Sequence, residues 1–115
     1  MTQDSTLTTE IIKYFHQKEF EQIITILEKK IEESSAIISD YHLLGITYLL
    51  NNDCETAQAL WMSILWETDN LDMETQKLIQ TLEKVAYLYL GSNEVILGKL
   101  IYEQILNFDE NNLNK

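Results

Sequence analysis

A chain of 115 residues with a net charge of −11 and a pI near 4.4 repels phosphate backbones and anionic bilayers, which argues against nucleic-acid and membrane-surface binding. All eight basic residues are Lys, so the guanidinium fork used for phosphate and carboxylate recognition is missing. Apolar residues at 45 %, no Pro and three Gly fit one all-helical domain with a folded core.

In chain order, residues 1–5 are polar and read as a frayed, disordered N-terminus. Thr6 or Asp4 is the candidate cap of a first helix over about 6–17, with Ile11, Ile12, Tyr14 and Phe15 on its apolar face. After a turn at 17–19, a second helix over about 20–34 sets Phe20, Ile23, Ile24, Leu27 and Ile31 against a solvated Glu/Lys face. Ser34 and Ser35 break it. The third helix, about 37–51, is apolar around most of its circumference, which implies cover on several sides. Asp53 caps a fourth helix, about 53–68, that buries Ala57, Leu60, Trp61, Ile64 and Leu65. Trp66 lies at a different angle from Trp61, and two positions stay open for it: exposed, or packed under the turns that follow. Asp72 is the candidate cap of a fifth helix over about 72–90. Gly91 and Ser92 end it, and a sixth runs over about 93–108, followed by a polar tail at 109–115.

The stretch from Tyr41 to Leu71 reads YHLLGITYLLNNDCETAQALWMSILWETDNL. Its Tyr41, Leu44, Gly45 and Tyr48, then Ala57 and Trp61, resemble the tetratricopeptide (TPR) pattern W-x2-L-G-x2-Y followed by A-x3-F. Gly45 inside a helix costs roughly 1 kcal/mol against Ala. Close approach of a paired helix would offset that cost; an incidental Gly in an ordinary helical hairpin is the alternative. A fainter copy holds Leu82, Val85, Ala86 and Tyr89, then Gly98 and Tyr102. A third holds Leu7, Ile11 and Tyr14, then Ile23 and Leu27. Tyr14 and Tyr48 are 34 residues apart, the TPR period, whereas Tyr48 and Tyr89 are 41 apart. The seven extra residues make about two turns and lengthen the helices around 69–76. The first copy has Glu10 and Ile11 where the family has a Leu-small pair, and no copy ends in Pro. The resemblance implies an all-α fold: a stack of three TPR-like antiparallel helical hairpins, about 6–34, 37–68 and 72–108, forming a short right-handed α-solenoid.

The single Cys54 forms no internal disulfide, fits a reducing compartment, and reads as an inert thiol. The opening MTQDSTLTTE has no basic or apolar signal region, and no apolar run approaches the ~20 residues that cross a bilayer. The expected setting is the cytoplasm. His16 and His42 are the only histidines, and neither they nor Cys54 belong to a metal-binding pattern. No phosphate loop or nucleophile elbow occurs, and the carboxylates fall mostly on polar helical faces. The chain therefore reads as a non-enzyme without cofactors.

TPR hairpins line a concave surface mainly with the first helix of each pair, and the resemblance carries that face to this chain. Its candidate partner-binding residues are Ile12, Phe15, His16, His42, Ile46, Leu49, Leu50, Tyr87 and Leu90, flanked by Thr8 and Glu83. An apolar face with two His suits an amphipathic helix; packing of the same residues on one another, or at a dimer contact, is the alternative. The two His read as structural, or as pH sensors beside acidic neighbours. The sixth helix is apolar over half its circumference or more, which suggests an oligomer face at Leu97, Leu100, Ile101 and Phe108. Its cover would be a second copy, a partner, or further chain. The expected function is a non-catalytic scaffold for protein–protein interaction or self-association, with a protein or peptide partner or a homodimer. The alternative follows from similarity to the TPR segments that precede bacterial glycosyltransferase and methyltransferase domains: a module that positions or oligomerises such an enzyme.

Overall fold

Apolar residues recur at helical spacing along the chain. In a computed structural model that describes residues 7–113, they form six helices and no strand. These are α1 (Thr9–Gln17), α2 (Phe20–Glu32), α3 (Ile38–Leu50), α4 (Cys54–Glu67), α5 (Leu71–Gly91) and α6 (Val95–Leu113). The expected caps at Asp4 and Thr6, and the frayed segment 1–5, lie outside the described residues. Thr8 caps α1 instead, its Oγ1 accepting from the Ile11 N–H at 3.2 Å. Asp53 caps α4 as expected, accepting from the Thr56 N–H. Asn70, not Asp72, caps α5 through Met73 N–H at 3.1 Å. The 41-residue step appears as helix length: α5 has 21 residues and α3 has 13. α6 continues through Leu113, beyond the expected end at 108.

Four helices end in the same way. Lys18, Ser34, Asn52 and Asn93 take positive φ of 58°, 58°, 68° and 67° after α1, α2, α3 and α5. Each of these residues donates its N–H three residues back: to Phe15, Ile31, Leu49 and Leu90. The following residue donates five back, to the carbonyls of Tyr14, Lys30, Tyr48 and Tyr89. This paired bonding is the Schellman closure, which satisfies two carbonyls that a helix end leaves open. Three of these acceptors are Tyr14, Tyr48 and Tyr89. After each of them the next helix begins six residues later, at Phe20, Cys54 and Val95.

Positive φ favours Gly, yet none of these four residues is Gly. A Lys at such a position bears a Cβ penalty of about 1 kcal/mol. Lys18→Gly is therefore expected to raise stability by about 0.5–1 kcal/mol. Lys18→Val should lower it, because a β-branched side chain tolerates this backbone worst. Urea unfolding followed by far-ultraviolet circular dichroism would measure both.

The helices fall into two compact units that divide at Gln58 and Ala59, inside α4. In the first, α1 packs on α2 and α2 on α3. Ile11 and Phe15 from α1 and Ile23 and Leu27 from α2 are buried, and α3 buries nine of its residues. Polar ties fix α2 against α3 along its length. Lys30 pairs with buried Asp40 at 3.0 Å, and the other Asp40 oxygen accepts from the Ile37 N–H at 2.9 Å, which closes the start of α3. Near the other end, Asn51 Nδ2 donates to Glu21 at 3.2 Å. In the second unit α5 packs along α6. A Cβ at Gly98 would stand 2.6 Å from Leu90 Cδ2, so a larger residue there would have to displace the Leu90 side chain, while the nearest backbone atom, the Ala86 oxygen, is at an ordinary 3.6 Å. Leu78, Leu82, Val85 and Tyr89 of α5, with Ile101 and Ile105 of α6, are buried.

Candidate functional site

Burial depends on which side of each helix the packing covers, and it divides the candidate groove residues into two groups. Phe15, His42, Ile46, Leu49 and Leu50 are buried, at 0–5 % exposure. They contribute to the core, and their side chains offer nothing to a partner at the surface. The physical reason is the all-round apolar character of α3, whose Asp40 and Thr47 are buried as well. Thr47 Oγ1 answers its own burial by donating to the Leu43 carbonyl at 2.8 Å. Ile12 is half-buried, while His16, Tyr87 and Leu90 are exposed.

Tyr87 and Leu90 have specific neighbours on α6. Tyr102 O–H donates to the Tyr87 oxygen at 3.3 Å, and their rings lie 6.3 Å apart. That hydrogen bond is the main reason the Tyr102 phenol is pushed up from its ordinary pKa. Leu90 lies over Gly98.

The candidate oligomer face is divided too. Ile101 is fully buried, whereas Leu97 and Leu100 are half-buried. Phe108 is also half-buried and meets the ring of Trp61 edge-on at 6.0 Å. Among the described residues, the large apolar side chains of α6 that face solvent are Val95, Ile96 and Leu106, with Ile96 82 % exposed.

A second exposed apolar group lies where α4 gives way to α5. Met62 and Trp66 are one turn apart on α4 and are 50 % and 80 % exposed. Leu71 and Met73, in the first turn of α5, are 46 % and 52 % exposed. The angle of Trp66 was its one signal in the sequence. α4 buries Ala57, Trp61 and Leu65 at four-residue steps, and Met62 and Trp66 lie one residue, about 100°, further round. Met62, Leu71 and Met73 carried no comparable signal.

Among the described residues, no group of three or more His, Cys, Asp or Glu is placed to hold a metal, and no helix is long and apolar enough to cross a membrane. Cys54 is exposed and carries a free thiol. Tyr48 O–H donates to Glu28 at 2.7 Å. Burial first, and this bond second, push its pKa from the ordinary 10.0 to about 12. A phenol raised in the folded state contributes fully below about pH 10 and loses its contribution as pH rises through about 12. Tyr48→Phe is expected to cost about 0.5–1 kcal/mol at neutral pH, because the bond lies at the solvent edge. It should also lessen the fall in stability from pH 10 upward, measured by urea unfolding across that range.

No family model, no curated protein and no solved structure matches the chain.

Proposed function

We propose that this chain is a non-catalytic protein–protein interaction module, built from TPR-like helical hairpins and working in the cytoplasm. One observation carries the reading: large apolar side chains stand in solvent on the second unit, with Trp66 and Ile96 each about four-fifths exposed. Exposed apolar groups of this size mark interaction surfaces in folded proteins. The repeated closures at Tyr14, Tyr48 and Tyr89 support a repeating hairpin, and with it the right-handed stack. The partner is another protein, an amphipathic helix, or a second copy. Its contact is the exposed group, because the α3 residues of the expected groove are core.

Site-specific photo-crosslinking in the source cells tests this. A photoreactive residue at Trp66 or Ile96 should give a protein adduct, and one at Gln80 or Lys99, on polar exposed positions, should not. Absence of adducts from both apolar positions would overturn the reading.

The second reading, a module that positions or oligomerises a bacterial glycosyltransferase or methyltransferase, draws on the exposed Val95, Ile96 and Leu106 of α6, which a neighbouring enzyme domain would cover. It predicts a covalent mass for the native protein well above 13.5 kDa.

A further inference from the structure

The exposed group at the junction of α4 and α5 sits in an unusual electrostatic setting. Between Lys30 and Lys77 the chain carries nine carboxylates and no Lys or Arg. One of the nine, Asp40, is buried against Lys30. Three others, Glu67, Asp69 and Asp72, are exposed and alternate with the apolar group itself: Met62, Trp66, then Glu67, Asp69, Leu71, Asp72, Met73. The next carboxylate, Glu74, is drawn toward Lys77 at 3.6 Å. This apolar platform, with two flexible Met, one Trp and one Leu, thus spans residues 62–73, which carry three carboxylates and no Lys; Lys77 lies one turn beyond Met73 and is drawn to Glu74.

We propose that Met62, Trp66, Leu71 and Met73 form the docking site for a cationic amphipathic helix of a partner protein. The proposal rests on the interaction reading above and names the chemistry of the partner. The apolar stripe of such a helix covers the platform, and its Lys or Arg residues meet Glu67, Asp69 and Asp72. Methionine adapts its shape to the incoming side chains, and Trp supplies a large anchor. Charge selects this occupant over others. A second copy would bring the same carboxylates and a net charge of −11 against them. An anionic bilayer is repelled in the same way.

The test uses the full chain and two synthetic amphipathic peptides of equal length, one of Leu and Lys and one of Leu and Glu. Trp61 is buried and Trp66 exposed, so fluorescence changes on binding report on Trp66. The Leu/Lys peptide should shift the emission to the blue and shield it from acrylamide, and calorimetry should show binding that weakens with salt. Trp66→Ser should weaken that peptide by about tenfold or more. Replacing Glu67, Asp69 and Asp72 by Gln and Asn should weaken it as well, and the Leu/Glu peptide should not bind. Three results would overturn the proposal: equal binding of both peptides, equal binding by Trp66→Ser and the unaltered chain, or no binding of the Leu/Lys peptide. A concentration-dependent dimer that Met62→Asp dissolves would overturn it in favour of a second copy. If the peptide test fails while crosslinks form at Trp66 in cells, the cationic helix is lost and the interaction reading stands. If both fail, both are lost.

Discussion

Replacing Trp61 with Ala is expected to cost about 3–5 kcal/mol of stability. Trp61 is the largest fully buried side chain of the protein, at 0 % exposure, and its ring meets Phe108 edge-on. Truncation removes its whole apolar transfer term and leaves a cavity that helices can close only in part. Domains of this size have about 5–15 kcal/mol in total, so the loss is a large share. Trp66→Ala is the matched control. Its side chain is 80 % exposed, and the change should stay within about 0.5 kcal/mol. Urea unfolding of both variants, followed by circular dichroism, should separate them clearly. Similar losses for the two would mean that the burial of Trp61 is not what holds α4 in place.

Ile46→Glu is the second large effect. Had Ile46 lined an open groove, this change would spare folding and remove only partner capture. Ile46 is 0 % exposed in the middle of α3, so the expected result is unfolding at neutral pH. The buried His42 stands one turn before that position on the same helix, so a pairing there would have to charge a second buried group, and burying charge costs several kcal/mol. The new carboxyl would hold its proton, with a folded pKa raised above the ordinary ~4.3. The native state then binds more protons than the unfolded one, so the variant loses stability as pH rises from about 4. It should be best folded near pH 4 and worst at pH 7 and above, measured by circular dichroism across that range. Ile46→Val, which removes one methyl, should cost about 0.5–1.5 kcal/mol. A variant Ile46→Glu as stable as the parent at pH 7 would restore Ile46 to the surface.

The helices were legible in the sequence because their signals are local. Apolar spacing placed six helices, most of them within two residues of their observed ends, and the recurrence of Tyr14, Tyr48 and Tyr89 located three turns of identical bonding. Caps were harder. Thr8 and Asn70 cap where Thr6 or Asp4, and Asp72, were expected, since several polar residues precede each helix and only the backbone angle selects one. The groove was the least legible feature. Its residues came from the concave face of the TPR pattern, but α3 is apolar on nearly every side. Which of its sides stays open is set by packing, and burial took His42, Ile46, Leu49 and Leu50 into the core. Met62, Leu71 and Met73 were missed for the opposite reason: apolar residues on helices are assigned to the core by default, and only packing shows which are left in solvent.

The central claim, that this chain works by holding another protein, is tested most directly by weighing it. The protein is isolated from its source cells and its mass measured under native and then denaturing conditions. The account predicts a native mass larger than the denatured one, by the mass of a partner or of a second copy. A denatured mass well above 13.5 kDa would point to the enzyme-linked reading. A native and a denatured mass that are both 13.5 kDa, at the protein's cellular concentration, would contradict the account.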